Sequence, residues 1–362
     1  MSVAETVVDN DWTGEERGPI DAALHRAMLA RRLPRAELHL HLVGALRPSQ
    51  LATPQSGSRP DARLDYVDVP DFFARHKATA GAIPTAESLA GVTQCVIEDA
   101  VDHGCQHVEL SVNGSEFDDG PLDLDRVLDA MGVAFARVRA RLGVTGGVIV
   151  AMDRDRGPAA ASRTIDHAVA ARDRGVPVLG IGNDGSPSHP LLAFADAFSE
   201  AKERGLRTTA HANKPADIED ALALRLDRID HAWELQGQTM LQERLARAGT
   251  PVTMAMTSCL LMLPGRFPTA ASFPFDELRS AGVAVTLNCD DAGMFFTDSA
   301  SEYRLAAETY DYDGVTLAAI AIASLEAAWI DHDRDARLAV WRAEAAALVL
   351  DPRNPQIGPT LP

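Results

Sequence analysis

The stretch ELHLHLV, residues 37–43, is a short alternating run and the first of eight comparable segments along the chain. Each segment is apolar or β-branched and has the length of a buried β-strand. Most intervals between the segments hold stretches with helical periodicity, and several of these end in glycine. The segments are residues 37–43, 107–112, 147–152, 177–183, 207–212, 228–232, 251–256 and 283–290. Because parallel strands need crossover connections, the alternation predicts an α/β fold, a (β/α)8 TIM barrel.

The same alternation leaves an open doubly wound sheet as the alternative architecture. The chain holds more helical sequence than eight barrel units need, both after strand 1 and at the C-terminus. We therefore expect extra helices at residues 68–81, 85–104, 316–330 and 335–350. The predicted organisation is a loose N-terminal arm at residues 1–16, a single barrel domain at residues 17–350 and an irregular tail at residues 351–362.

The composition argues against several classes of function. The 362 residues carry a formal net charge of −18, which disfavours binding to nucleic acid or to an anionic membrane surface. The first residues, MSVAETVVDNDW, lack the basic and apolar regions of a signal peptide, and the 4 cysteines form no CxxC pair. We expect a cytoplasmic protein that acts on a small molecule. Whether it forms a homo-oligomer is left open.

Histidine and aspartate residues occur where the predicted strands end. They are His39 and His41 in strand 1, His211 in strand 5, His231 in strand 6, and Asp290 and Asp291 in strand 8. Two residues apart in a strand, the first two histidines share one face. Since the C-terminal strand ends carry the working residues of a barrel, these side chains converge on one rim. Three imidazoles and a carboxylate suit a divalent, zinc-like ion with water completing its shell.

Each of these residues has an ordinary explanation when it is taken singly. An HxH sequence in a strand usually takes part in ordinary side-chain packing, and an Asp-Asp pair in a loop usually forms a turn or caps a helix. Their occurrence together, in register with eight strands, favours a metal site. Of the other histidines, His76 and His189 are those that we expect nearest to a pocket.

Seven short motifs resemble those of a known family. PRAELHLHLVGALRP, residues 34–48, resembles the opening motif of the adenosine deaminase-like branch of the metal-dependent amidohydrolase superfamily. The others follow in the order and approximate spacing of that family. They are GIGNDG (180–185), HANK (211–214), RIDHA (228–232), MTSC (256–259), NCDDAG (288–293) and SEYRLAAE (301–308). The resemblance extends from about residue 33 to about residue 330.

The resemblance implies a role for each matching residue. His39, His41, His211 and Asp290 would bind one Zn²⁺ ion, His231 would orient or deprotonate the metal-bound water, Asp291 would hydrogen-bond the substrate, and the amide of Gly185 would meet a substrate ring nitrogen. A zinc ion lowers the pKa of its water from ~15.7 towards ~7, which supplies hydroxide at neutral pH. Hydroxide attack on an electrophilic carbon, with nitrogen leaving, predicts hydrolysis of a C–N bond.

The strand pattern also indicates which residues could handle the proton of the attacking water. His231 could take the proton of the attacking water while Asp290 steadies the nucleophile. Asp230 precedes His231 directly, and neighbouring residues of a strand face opposite sides. We therefore expect Asp230 to point away from His231.

Two positions depart from the family pattern. HLEG or HLDG appears here as HLVG, so Val43 replaces a carboxylate associated with a sugar hydroxyl. HAGE appears here as HANK, so Lys214 replaces the glutamate that protonates the substrate ring nitrogen. Loss of a positioned general acid costs ~10²–10⁴ in rate. A lysine cannot copy that acid, because its ammonium group is a point charge with three donors and no acceptor.

Three interpretations of Lys214 stay open. Its ammonium group could stabilise an oxyanion or bind a carboxylate or phosphate of a different substrate. With its pKa lowered by burial near a metal, it could transfer a proton itself. Otherwise it points to solvent or pairs with Asp217 or Glu234, in a protein that is no longer a catalyst.

We therefore predict a zinc-dependent hydrolase that attacks a C–N bond of a small molecule other than adenosine, by deamination or by cyclic amidine or amide hydrolysis. In this prediction, Lys214 replaces the general-acid glutamate. Two alternatives remain. One is a true aminopurine deaminase in which Glu234 or Asp184 supplies the acid, and the other is a non-catalytic barrel that binds a small molecule.

Overall fold

The computed structural model describes residues 22–47 and 69–350. The predicted arm at residues 1–16 and the predicted tail at residues 351–362 lie outside these ranges, as do residues 17–21 of the predicted domain. The described residues contain eight strands. They are β1 (Arg35–His41), β2 (Cys105–Asn113), β3 (Thr145–Asp153), β4 (Val178–Asp184), β5 (Arg207–Thr208), β6 (Ile229–Asp230), β7 (Val252–Met254) and β8 (Val285–Leu287).

Helices connect and surround these strands. In chain order they are α1 (Ala22–Arg32), α2 (Leu42–Ala45), α3 (Val69–Gly81), α4 (Ala86–Asp102), α5 (Leu124–Leu142), α6 (Pro158–Asp173), α7 (Ala195–Glu203), α8 (Pro215–Ala223), α9 (Thr239–Ala248), α10 (Met256–Met262), α11 (Phe275–Ser280), α12 (Ser299–Tyr310), α13 (Gly314–Ala327) and α14 (Arg334–Leu350). The extra helices predicted after strand 1 and at the C-terminus are present as α3, α4, α13 and α14.

The strands close into a barrel. All neighbours pair in parallel, in one group of β1 to β5 and a second of β6 to β8. Single parallel bridges, His211 with Asp230 and Leu40 with Asp290, join the two groups at both edges. At the second junction the His41 amide donates to the Asp290 carbonyl over 2.9 Å. The prediction of a (β/α)8 barrel is confirmed, and the open sheet is wrong.

The glycine-rich exit of β4 also agrees with a barrel. GIGNDG, residues 180–185, has the spacing of a dinucleotide-binding GxGxxG sequence. That motif works only where a helix opens directly after the strand. Here a loop follows β4, and α7 does not begin until Ala195. The glycines therefore shape a strand end rather than a phosphate cradle.

The core fills the barrel and the space beneath its helices. Every residue of β1 and β4 is buried, as expected for parallel strands that are covered on both faces. At the end of the barrel opposite to the strand C-termini, Arg228 donates to Glu109 over 2.6 Å, and both side chains are 0% exposed. Within the described ranges, the structure contains no helix with the length and apolar character needed to cross a membrane.

Candidate metal centre

The C-terminal strand ends bring four imidazoles and one carboxylate together. The ring of His39 lies at the middle of the group, with its centroid 5.0 Å from those of His41 and His211 and 4.7 Å from that of His231. Donor atoms within 4.8 Å of one another form two overlapping sets. These are His39, His211 and His231, and His39, His41 and Asp290. Residues from four strand ends thus share one small volume.

Asp290 is fixed in this cluster by an unusual backbone and by a serine. Its φ of 62° is in the left-handed region, which turns the chain out of the direction of β8. Its Oδ1 lies 3.2 Å from Nε2 of His39 and 3.4 Å from Nε2 of His41. Its Oδ2 accepts a hydrogen bond of 2.6 Å from the hydroxyl of Ser258. Burial opposes ionisation, but the imidazoles of His231 and His39 hold the pKa of Asp290 well below 3.8.

Asp230 faces the histidine cluster, and the expectation that it points away is wrong. Its Oδ1 lies 3.3 Å from Nδ1 of His39, and its carboxylate accepts from the hydroxyls of Thr209 and Thr253, each over 2.7 Å. His231 has a φ of 72°, so the strand alternation stops at that residue and both neighbours can reach the cluster. A carboxylate that holds the second nitrogen of an imidazole fixes the orientation and tautomer of that ring.

A divalent metal ion fits this set of donors. Burial lowers the pKa of His211 well below 6.5, and burial lowers that of His231 to about 4, so both imidazoles are neutral and have a free lone pair. Burial also disfavours the charged form of His39, yet Asp230 and Asp290 raise its pKa to about 10. The two buried carboxylates therefore require positive charge at the centre of the cluster. A divalent cation would supply that charge and leave neutral imidazoles and a carboxylate as ligands.

The remaining predicted site residues are not all brought into the cluster. Asp291 is 4% exposed and lies next to it, whereas Val43 is 0% exposed and packs in the hydrophobic core. Gly185 has a φ of +86°, a conformation that favours glycine, beside Asp153 and Asp155. Lys214 is exposed at the start of α8, and its ammonium group makes no ion pair or hydrogen bond with the described residues.

Asp217 and Asp184, the two aspartates considered in the sequence analysis, have partners other than Lys214. Asp217, which we considered as its partner, instead pairs with the buried Arg154 over 2.6 Å. Asp184, which we considered as an alternative acid, is 6% exposed, and its Oδ2 lies 4.0 Å from Nδ1 of His41. Burial, together with the charges of nearby carboxylates, raises the pKa of Asp184 well above 3.8. Burial therefore favours the protonated form of the Asp184 carboxyl group, which lies at the edge of the cluster.

Three sets of contacts to the cluster, or to the adjacent Asp291, were not predicted from the sequence. They are Asp230, Ser258 and the pair of His76 with Glu116. Asp230 and Ser258 lie inside RIDHA and MTSC, so the rule that outer partners orient metal-binding side chains could have identified them. His76 was expected near a pocket, but its contact with Asp291 follows from packing between distant segments.

Comparisons with known proteins agree with this geometry. The family model for adenosine deaminase matches residues 34–341. Adenine deaminase from Cupriavidus necator is 30% identical over 326 residues, which cover 86% of this chain and 91% of that protein. The crystal structure of adenine deaminase from Arthrobacter aurescens has a TM-score of 0.79 at 24% identity, covering 88% of this chain and 99% of that one.

A second solved structure contains zinc. It is an amidohydrolase from Burkholderia ambifaria with a TM-score of 0.77 at 25% identity, covering 93% of this chain and 96% of that one. The family match spans most of the chain and includes all the strand ends that build the histidine cluster. This chain belongs to the adenosine deaminase family and is a metal-dependent amidohydrolase, a hydrolase of C–N bonds.

Proposed function

We propose that this protein hydrolyses a C–N bond in a small heterocyclic compound that is not adenosine and that carries an anionic group or develops an oxyanion. One observation carries the proposal. A cluster of four histidines and Asp290 is present, and Lys214, three residues after His211 of that cluster, stands where the family pattern has a glutamic acid. The residues that would activate the attacking water are thus retained, and the residue that would protonate the substrate is replaced.

Each side chain of the cluster has a separate role in this proposal. His39, His41, His211 and Asp290 would hold a divalent ion, which when bound activates water and polarises the attacked group. Neutral His231, with its pKa lowered by burial to about 4, accepts a proton from the attacking water. The carboxylate of Asp230 orients His39, and the hydroxyl of Ser258 orients Asp290.

The surroundings of Lys214 support one of its three interpretations. Proton transfer by a lysine requires burial near the metal, but this side chain is exposed. Pairing with Asp217 loses support because Arg154 already holds that carboxylate. An exposed ammonium group that has no partner among the described residues is suited to bind an anionic substrate group or to stabilise an oxyanion that develops during the reaction.

We expect adenosine to be a poor substrate. Without a glutamic acid at position 214, no positioned acid protonates the ring nitrogen, which costs ~10²–10⁴ in rate. Zinc-loaded protein should therefore turn over adenosine well below the ~1–10³ s⁻¹ of ordinary enzymes. The measurement is the absorbance change on deamination at saturating adenosine. Turnover in the ordinary range would contradict the proposal.

The variant Lys214→Glu is expected to gain adenosine deamination, by up to ~10²–10⁴-fold, because it restores the carboxylic acid that the family pattern has at this position. The matched control is Lys77→Glu, the same change of charge at an exposed lysine of α3. The control should not raise the rate. No gain in the first variant, with zinc still bound, would show that position 214 does not determine the choice of substrate.

Asp184 supports the alternative of a true aminopurine deaminase. Its carboxyl group is buried near His41 with a raised pKa, whereas Glu234 is only half-buried. If Asp184 supplied the acid, the wild-type protein would deaminate adenine or adenosine, and Asp184→Asn would abolish this activity. The proposed function predicts that neither result is obtained.

A further inference from the structure

The segment that carries His211 lies outside helix and strand. β5 ends at Thr208 and α8 begins at Pro215, so residues 209–214 follow an irregular path along the rim of the barrel. The His211 amide donates to the Asn183 carbonyl over 2.9 Å. Buried backbone groups in such a segment need partners, and those partners decide where its side chains lie. The position of the His211 imidazole therefore depends on contacts from the neighbouring loops.

One buried arginine supplies several of these contacts. Arg154 lies in the short helical turn after β3 and is 2% exposed. Its guanidinium donates to the His189 carbonyl over 2.7 Å, to the His211 carbonyl over 3.3 Å and to the Asp217 carboxylate over 2.6 Å. His189 follows β4, His211 follows β5, and Asp217 lies in the first turn of α8. A single side chain thus joins the loops after three consecutive strands.

The contacts of Arg154 enclose the turn from β5 to α8. His211 lies three residues before Lys214, and Asp217 lies three residues after it. Both ends of this turn are bound to the same planar group, whose donors have a fixed geometry. Replacing a buried ion pair by apolar side chains is often neutral for stability. Net stability therefore does not account for Arg154 here, whereas control of geometry does.

We propose that Arg154 is a positioning residue that fixes residues 211–217 and so holds the His211 imidazole against the other histidines, as a metal site requires. The inference rests on the proposed function, in which His211 is a metal ligand. The ring centroid of His211 lies 5.0 Å from that of His39 and 4.7 Å from that of His231. Arg154 acts on this arrangement through the backbone of His211 and through α8. Its loss should weaken metal binding although every ligand is still present.

The affinity for zinc measures this effect. Dissociation constants are determined by competition with a chromophoric chelator, on folded wild type and folded variants. Arg154→Met keeps a long unbranched side chain without donors and should bind zinc ~10–100-fold more weakly, the usual cost of losing an outer partner of a metal ligand. Arg154→Lys keeps the charge beside Asp217 but not the planar fork, so its loss should be smaller. The visible absorption of the Co²⁺-loaded protein should change in Arg154→Met, because it depends on coordination geometry.

A second buried pair provides the matched control. Glu109→Gln breaks the contact of Glu109 with Arg228, also 2.6 Å long, at the opposite end of the barrel. This variant should leave the zinc affinity and the Co²⁺ spectrum unchanged. Wild-type affinity in the Arg154 variants, or an equal loss in Glu109→Gln, would overturn the inference. If Arg154→Met does not fold, the comparison of Arg154→Lys with the wild type decides. A wild type that binds no zinc would instead overturn the proposed function, and the inference with it.

Discussion

Asp290→Asn is expected to lose both bound zinc and hydrolysis. The substitution keeps the shape of the side chain but removes the charge of the carboxylate that lies 3.2 Å from His39 and 3.4 Å from His41. A metal ion contributes several kcal/mol to the transition state, and 1.36 kcal/mol corresponds to a factor of ten. The expected decrease in rate is therefore on the order of 10³-fold or more.

Two measurements check this expectation. Zinc per chain is determined after dialysis against a weak chelator, and hydrolysis is followed in the Lys214→Glu background, where adenosine turnover is expected to be measurable. The matched control is Asp230→Asn, which removes the outer partner of His39 and should cost only ~10–100-fold in metal affinity or rate. Zinc retention by Asp290→Asn equal to that of the wild type would exclude Asp290 as a ligand.

The cluster of histidines with Asp290 was predictable where it depends on strand periodicity and strand order. His39 and His41 lie two residues apart, so any strand through them places both imidazoles on one face. His211 and Asp290 follow apolar runs, and the barrel rule then places them at the same rim as strand 1. These predictions need only the order of the strands and not the details of their packing.

Residues at the ends of the shorter strands were harder to place. Only Arg207–Thr208 and Ile229–Asp230 form the strands β5 and β6, because the chain leaves regular pairing just before the site. The left-handed φ of His231 breaks the alternation from which we expected Asp230 to point away. Such a backbone conformation is stabilised by the surrounding structure, and a pattern of residue types does not reveal it.

The contacts of His76 depend on long-range packing. Its two partners, Glu116 and Asp291, come from the ends of different strands, and α3 is fixed over them by the stacking of Phe72 on Phe295. A histidine in an amphipathic helix gives no local signal for any of these contacts. The barrel follows from periodicity in the sequence, whereas these contacts follow only from how distant segments of the chain pack.

Glu109→Gln is expected to destabilise the protein by ~3–5 kcal/mol, the usual cost of leaving one partner of a buried ion pair without its counter-ion. Glu109 is 0% exposed, accepts from Arg228 over 2.6 Å and from the Trp329 amide over 2.8 Å. The guanidinium of Arg228 lies 4.0 Å from the ring centroid of Trp329, so its charge stays buried in the variant. The measurement is urea unfolding of wild type and variant, both zinc-loaded.

An exposed pair provides the control for this prediction, and pH provides a second test. Glu219→Gln removes the partner of Arg244, and both of those side chains are about half exposed, so the expected cost is below ~1 kcal/mol.

Burial opposes ionisation of Glu109, but the charge of Arg228 outweighs this effect and lowers the pKa of Glu109 below 4.5. A carboxyl group with a lowered folded-state pKa contributes its full stability above the unfolded value and loses it as the pH falls through the folded value. The stability difference between wild type and Glu109→Gln should therefore be constant above about pH 4.5 and shrink below it, and a difference that grows on acidification would contradict the ion pair as its cause.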